Sequence, residues 1–299
     1  MDSTSTRPHL SKAVVIMGPT GSGKSKLSVH LASTFFKCSE IINSDKIQLY
    51  KGLDITTNKI TLHEQHGVTH HLLGAIDSSY LVSPFEFRSL ASSYVSDIIS
   101  RRKLPFIVGG SNSLIYALLT KKFNPKTDVF NGSKPDPVSS ELRYNCCFLY
   151  IDVSLPVLNQ YLSKRVDEML DSGMLEELQE FYDSGKCNSV NPNGLGQAIG
   201  IPELDNYLRR TKNTNSEDDV AKKMYEEAVK AIKDNTCELA KRQVNKIQRL
   251  RDGGWELHRI DGTEALRAAL GWSKVRVEDV WEKQVVETSV KIVKQFLQE

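Results

Sequence analysis

No C-x-x-C pair occurs among the five cysteines, Cys38, Cys146, Cys147, Cys187 and Cys237. Neither a disulfide framework nor a cysteine-based zinc site is therefore indicated, and the pattern fits a reducing compartment. Apolar runs of membrane-spanning length are missing, so no membrane partner is expected. Internal repeats are missing too, which removes solenoid and propeller architectures. Charge of one sign is not in excess, since the formal net charge is +2 over 299 residues. Overall charge thus identifies no partner, although Lys241, Arg242, Lys246, Arg249 and Arg251 crowd one stretch and could attract phosphates locally. Residues 1–12 are Ser/Thr-rich with no acid after Asp2. That composition fits either the tail of a transit peptide or a flexible leader, and taken alone it favours the leader.

What is present begins with a short apolar run, Ala13 to Met17, followed by Gly18-Pro19-Thr20-Gly21-Ser22-Gly23-Lys24-Ser25. The G-x-x-x-x-G-K-[ST] spacing arises by chance in roughly one chain in a hundred of this composition. Here it also lies between a strand and a helix, as a phosphate-binding P-loop must. Glycines let backbone N–H groups converge on phosphate oxygens, and the helix N-terminus adds its dipole. Lys24 supplies a point charge, and the Ser25 hydroxyl is placed to bind Mg²⁺.

Further strands are expected at Glu40 to Asn43, Pro105 to Val108 and Cys147 to Val153. Helices are expected over Lys26 to Lys37, from Pro84 with the stripe Phe87, Leu90, Tyr94 and Ile98, and from about Ser113. This alternation predicts an α/β fold, a P-loop NTPase-like parallel sheet flanked by helices, with ligands at the carboxyl ends of the strands. Beyond Pro156 the pattern turns helical: Val157 to Asp171, Leu175 to Asp183 and Glu217 to Leu250. It is broken by loops at Asn191 to Gly200 and Arg209 to Asp219. Glu256 to Ile260 reads as a last strand and Val280 to Leu297 as a final amphipathic helix. The expected organisation is a leader over 1–12, a P-loop core over 13–155, a smaller helical lobe over 156–235, and 236–299 returning to the core.

Two acids end strands. Asp152 reads as a cap or strand-end residue. Asp45 could be a metal ligand or a general base, and composition does not choose between them. His70 and His71 point to opposite faces of a strand, which disfavours joint metal binding. From charge alone, Arg165 and the Lys241-Arg242-Gln243 stretch read as solvated helix faces.

Taken in order, GPTGSGKS, NSDKIQLYKGLDITTNKIT, GVTHHLLG, SPFEFRSLA, PFIVGGSNSLIYAL, LSKRVDEMLDSGMLEEL, GLGQAIGIPEL and NTCELAKRQVNKIQRL resemble the isopentenyltransferase family through nearly the whole chain. The last of these, with GGSNSLIYAL and the ending WELHRIDGT…WEKQVVETSVKIVKQFL, is similar to the plant adenylate branch rather than the tRNA branch. Lys121 to Cys146 is short for the helical insertion of tRNA enzymes, and Cys237 stands where those enzymes carry arginine.

The resemblance implies transfer of a dimethylallyl group from dimethylallyl diphosphate to the N6 amine of ADP or ATP, the first step of cytokinin biosynthesis. It implies Mg²⁺, a plastid location with the cytoplasm as alternative, and a monomer acting without tRNA. The donor diphosphate would be held by Gly18 to Ser25, with Arg165 and Arg242 adding bidentate contacts. Asp45 would take the amine proton, with Thr20, Lys24 and Arg165 stabilising the leaving group. Ser44, Gln48, Ser111 and Asn112 would face the nucleotide, and Lys241, Lys246 and Arg249 its longer phosphate tail. The cation that replaces the tRNA enzymes' arginine has to come from elsewhere than position 237. The alternatives are a tRNA dimethylallyltransferase and a P-loop small-molecule kinase.

Overall fold

The computed structural model describes residues 10–131, 135–214 and 219–299. The leader expected over 1–12 lies mostly outside them, and Lys12 already belongs to the first strand.

The apolar run becomes β1 (Lys12–Met17), buried from Ala13 onward because both its faces are covered. The P-loop leads into α1 (Lys24–His30), whose last turns widen into a π-helical segment, Leu31–Phe35. Then come β2 (Ser39–Asn43), the two-residue β3 (His70–His71), α2 (Pro84–Ser100), β4 (Leu104–Gly109), α3 (Asn112–Leu119) and β5 (Asn145–Asp152). The helical portion comprises α4 (Leu155–Asp171), α5 (Met174–Asp183), α6 (Ile201–Thr214) and α7 (Asp219–Asp252). The chain returns through β6 (Leu257–Asp261), α8 (Thr263–Ala269), α9 (Val277–Trp281), a π-helical turn at Glu282–Val286 and α10 (Glu287–Gln298).

The six strands form one sheet in the order β3-β2-β4-β1-β5-β6, and every pairing is parallel. Helices flank it and a smaller helical lobe stands beside it. The register sets Met17 beside Gly109 and Tyr150, and Asn43 beside Val108. The segments that follow β1, β2 and β4 therefore leave the sheet on one rim. Helix α7 is 34 residues long, roughly 50 Å at 1.5 Å per residue. Its buried stripe, Ala228, Ile232, Thr236, Ala240, Gln243, Ile247 and Leu250, keeps helical spacing and carries the lobe back over that rim.

Three sequence expectations are corrected. Arg209 to Thr214 is not loop but the end of α6. In α2 the buried residues are Phe87, Ala91, Val95 and Ile98, while Leu90 is 38% exposed. An i, i+4 count from Phe87 selects Ala91, a small residue that a search for large side chains passes over. The final helix is interrupted by its π-helical turn, and α8 carries no strong periodic signal in its seven residues. The connection from α3 to β5 contains no helix among the described residues.

Glu40 on β2 is buried beneath Arg101 (2.6 and 2.8 Å), Lys103 (2.6 Å) and His71 (2.8 Å). Bonding to Arg101 outweighs burial and holds its carboxyl well below the usual range. A carboxyl depressed in the folded state stabilises the fold above its unfolded value and loses that contribution as pH falls. Glu40→Ala is expected to lower the unfolding free energy by about 1–3 kcal/mol at pH 7. The deficit should shrink on acidification, as urea melts at a series of pH values would record.

Candidate active site

The rim holds a cleft of about 980 Å³ between the sheet and the helical lobe. Its wall includes Thr20 from the P-loop, Asp45, Lys46 and Gln48 after β2, Ser111 and Asn112 after β4, Arg165 on α4, and Arg242 and Lys246 on α7.

The turns fix one another. The Ser44 N–H donates to Val108 O (2.7 Å), Ser111 N–H to Ser44 O (3.2 Å), and Lys46 N–H to Ser111 Oγ (2.8 Å). Gln243, buried on α7, accepts the Thr20 N–H on Oε1 at 2.7 Å, and Asn112 Nδ2 donates to its carbonyl at 3.1 Å. Its amide lies so close to Gly110 that a Cβ there would come within 2.5 Å of Nε2, which explains glycine at that turn. Arg165 Nη2 donates to Thr20 Oγ1 at 3.0 Å. Thr20 is thus held by two helices that begin far from it in sequence.

The charges are unequal. Lys24, Arg165, Arg242, Lys46 and Lys246 surround or reach the cleft, while Asp45 is the acid in its wall. Among the described residues Lys24, Arg165, Arg242, Lys46 and Lys246 make no ion pair within 4.0 Å. Burial pushes the Lys24 ammonium down to about 8, with Asp45 opposing and Arg165 adding to the shift. Burial also lowers the Arg165 guanidinium, which remains charged. Lys46 and Lys246 are lowered by desolvation; for Lys246 the charge of Asp128 opposes the shift, and Arg242 and Lys46 add to it. Partly desolvated cations without an acid partner fit an anionic ligand.

Several polar groups at the rim are unspent. Ser22 Oγ, Ser44 Oγ, Asn112 Oδ1 and Arg165 Nε are buried without a partner. The amides of Gly21, Gly23, Lys24 and Ser25 likewise have none among the described residues. Lys24 Nζ instead donates to Pro19 O at 2.7 Å. This is a cradle suited to phosphate oxygens. No cluster of three or more His, Cys, Asp or Glu that could hold a metal occurs among the described residues. Mg²⁺ needs no such cluster, since one protein oxygen plus ligand phosphates and waters can suffice. The exposed Ser25 hydroxyl at the head of α1 fits that modest demand.

Asp45 Oδ1 accepts the Ile47 N–H at 3.1 Å and, less closely, that of Gln48 at 3.5 Å. Oδ2 makes no hydrogen bond among the described residues. The carboxylate is thereby oriented by its own turn and keeps one oxygen for a proton-bearing ligand.

Other expected residues are placed as follows. Gly18, Pro19 and Gly21 to Ser25 lie outside the cleft wall proper. Gln48 lines the cleft, but its amide nitrogen is committed to Thr57 O and Asn58 O, both at 3.0 Å. Lys241 is not brought to the cleft; it is 61% exposed and 4.0 Å from Glu238. It precedes Gln243 by two residues, about 200° around the helix, so the two face opposite ways. Arg249 is occupied by the carbonyls of Val129, Pro135 and Asp136. Asp152 ends β5 paired with Arg259 at 2.5 Å. Cys237 Sγ faces Asn159 O on α4 at 3.8 Å.

Sequence reasoning passed over Gln243, Lys46 and Phe130. Gln243, whose burial shows only in the phase of α7, carried no clear local signal. Phe130, over whose ring Lys246 sits at 5.5 Å, carried none.

A family profile described as IPP transferase matches residues 48–135 and 121–249. The chain is 52% identical to an adenylate isopentenyltransferase of Humulus lupulus over 297 residues, 95% of this chain and 90% of that protein. It is 50% identical to the chloroplastic adenylate isopentenyltransferase 1 of Arabidopsis thaliana, over 99% of this chain and 84% of that one. Among solved structures, a eukaryotic dimethylallyltransferase acting on tRNA is 25% identical with a TM-score of 0.76, covering 96% of this chain and 80% of that one. The tRNA isopentenylpyrophosphate transferase of Bacillus halodurans is 25% identical with a TM-score of 0.71, covering 96% and 98%.

Because only the charged form of Lys24 attracts an anion, and its value lies near 8, raising pH through 8 should weaken pyrophosphate binding. Calorimetric titration should show a steeper loss for the natural protein than for Lys24→Arg. That variant shares the ligand's own titration but has no cation that neutralises in this range.

Proposed function

The chain belongs to the IPP transferase family, and from that premise we propose how its own residues move a dimethylallyl group onto an adenine nucleotide. The observation that carries the reading is the charge layout of the cleft. Lys24 and Arg165 gather at the Thr20 end, and one carboxylate with a free oxygen faces them from the end of β2.

Dimethylallyl diphosphate sits with its diphosphate in the cradle of Gly18 to Ser25. Lys24 leaves Pro19 O to meet a phosphate oxygen, and Arg165 and Arg242 extend the contact from α4 and α7. Mg²⁺ on Ser25, when bound, further neutralises the leaving diphosphate. The adenine N6 nitrogen attacks C1 of the donor. The C1–O bond breaks, its electron pair departs with the diphosphate, and Asp45 takes one N6 proton. The electrostatic contribution is preorganised, because Thr20 is fixed by Gln243 and Arg165 before any ligand arrives. An exocyclic amine conjugated with a purine is a weak nucleophile, so an aligned base matters. Gln48, Ser111 and Asn112 shape the acceptor side, Gln48 with its carbonyl oxygen and Asn112 with its unpartnered Oδ1, while Ser44 is fully buried and does not line the cleft.

We assign the sheet to the P-loop NTPase type, with residues 13–155 as its core, 156–235 as the lobe and 236–299 returning to the sheet. The P-loop here grips a leaving group rather than a phosphoryl group in transfer, which sets aside the kinase alternative. ADP and ATP are proposed as acceptors over AMP, with Lys246 and Lys46 toward the longer tail. Free nucleotide is proposed over tRNA, in keeping with a connection from α3 to β5 that contains no helix among the described residues. Arabidopsis relatives named chloroplastic, at 50%, 48% and 48% identity, support a plastid location. A mitochondrial relative stands at 45%.

Incubation with dimethylallyl diphosphate and Mg²⁺, offering ADP and tRNA side by side, should yield a prenylated nucleotide by mass analysis and leave the tRNA unmodified. Prenylated tRNA with untouched ADP would reverse the acceptor assignment. Asp45→Ala is expected to lower kcat by about 10²–10⁴-fold while leaving pyrophosphate affinity intact. Near-normal turnover would remove Asp45 from the base role.

A further inference from the structure

Gly23 heads α1 with φ +87°, a left-handed conformation that favours glycine. Behind it lies a ring from the other end of the chain. A Cβ on Gly23 would meet the outer edge of the Trp281 indole, with Cζ3 at 2.8 Å. Trp281 ends α9 and is 4% exposed. Lys26 Nζ stands 5.0 Å from the centre of its ring. In the next residues Glu282 lies 3.7 Å from His30 of α1, and Val285 and Val286 of the π-helical turn join Leu27 in one buried cluster. The carboxy-terminal arm therefore backs the segment of the loop whose amides have no partner among the described residues.

The indole nitrogen of Trp281 is buried with no hydrogen-bond partner. An unpaired buried donor costs about 1–3 kcal/mol, a cost that a phenylalanine would avoid. What phenylalanine lacks is reach, since it is the outer, six-membered part of the indole that touches Gly23. The ring's size at this place, and not its polar group, is what the contact uses.

We propose that Trp281 is a positioning residue for the donor site: it holds the Gly23–Lys24 segment of the P-loop in its phosphate-receiving shape from behind. The proposal rests on the reading that this loop holds the donor diphosphate. It gives the carboxy-terminal arm a part in donor affinity although no residue of that arm lines the cleft. An ångström of slack in a loop that must present several amides to one phosphate group disorganises all of them together.

The test uses the full chain with Trp281→Phe, Trp281→Ala and Lys24→Ala, measuring pyrophosphate affinity with Mg²⁺, KM for donor and acceptor, kcat and Tm. Trp281→Phe keeps an aromatic ring in the core but withdraws it from Gly23. It is expected to raise donor KM and pyrophosphate Kd roughly tenfold, with acceptor KM and Tm held near those of the natural protein. Unchanged pyrophosphate affinity in Trp281→Phe, alongside a marked loss in Lys24→Ala, would overturn the positioning role alone. Parallel rises in both KM values with a fall in Tm would do the same, by showing a purely structural part. Unchanged pyrophosphate affinity in Lys24→Ala would overturn the donor-site reading and this inference with it. Trp281→Ala, which also opens a core cavity, should exceed Trp281→Phe in loss of Tm and match it in the selectivity for donor over acceptor.

Discussion

The 2.7 Å bond from the Thr20 N–H to Gln243 Oε1 is the contact on which the cleft depends. It joins the end of β1 to the middle of α7, while Arg165 holds the side chain of the same threonine from α4. The carbonyl of Gln243 receives Asn112, bringing in the turn after β4, and that turn holds the segment after β2 through Ser111. Three strand ends and two helices are thus referred to one residue pair. Because the participating groups are largely buried, each bond is worth more than at a surface, and leaving one unmade costs more.

The same contact shows what could be read in the sequence and what could not. The phosphate-cradle reading of Gly18 to Ser25 rests on local chemistry: glycines, lysine and hydroxyl are neighbours in the chain. The parallel sheet was legible because each strand is a short apolar run that ends at a turn residue. Asp45 could be singled out by its place at a strand end, while its proposed role comes from the family motifs. Gln243 was hidden among Lys241 and Arg242, whose charges suggest a solvated stripe. Its burial follows from the phase of a 34-residue helix, which depends on packing far along the chain. Trp281 was invisible as part of the P-loop, because 258 residues separate it from Gly23 and no local pattern ties an indole to a glycine. The end of α6 was misread for a related reason: Arg209 to Thr214 is polar enough for a loop, but the helix begun at Ile201 carries through it.

Electrostatics links the fold to the reaction. A cradle with several cations and one acid is costly to hold empty, and the protein offsets part of the cost internally. Lys24 turns to Pro19 O, and its ammonium shifts toward neutrality to about 8. Both adjustments are reversible. On the proposed donor-site reading, an arriving diphosphate restores the full charge of Lys24 and draws it off the carbonyl, which couples donor binding to proton uptake. Cys237 takes no part in this, since burial raises its thiol's pKa and it faces α4. The positive charge at Thr20 comes from Arg165 instead.

A P-loop alone does not distinguish phosphoryl transfer from the loss of a diphosphate, because the cradle binds the same oxygens in either case. The distinction lies in what stands opposite. For phosphoryl transfer an acid near the cradle serves the metal, and the acceptor must reach the terminal phosphorus. Here Asp45 is oriented by Ile47 N–H through one oxygen and leaves the other toward a cleft of about 980 Å³, large enough for a nucleotide in addition to the donor. On the proposed reading the carboxylate serves the acceptor's side of the reacting carbon, and Lys24 and Arg165 serve the leaving group's side. Negative charge leaves toward the cations as a proton leaves toward the carboxylate. That opposed arrangement suits substitution at carbon, and it depends on β1 and β2 being held apart by β4 in the sheet. The strand order itself therefore sets the spacing between base and leaving group.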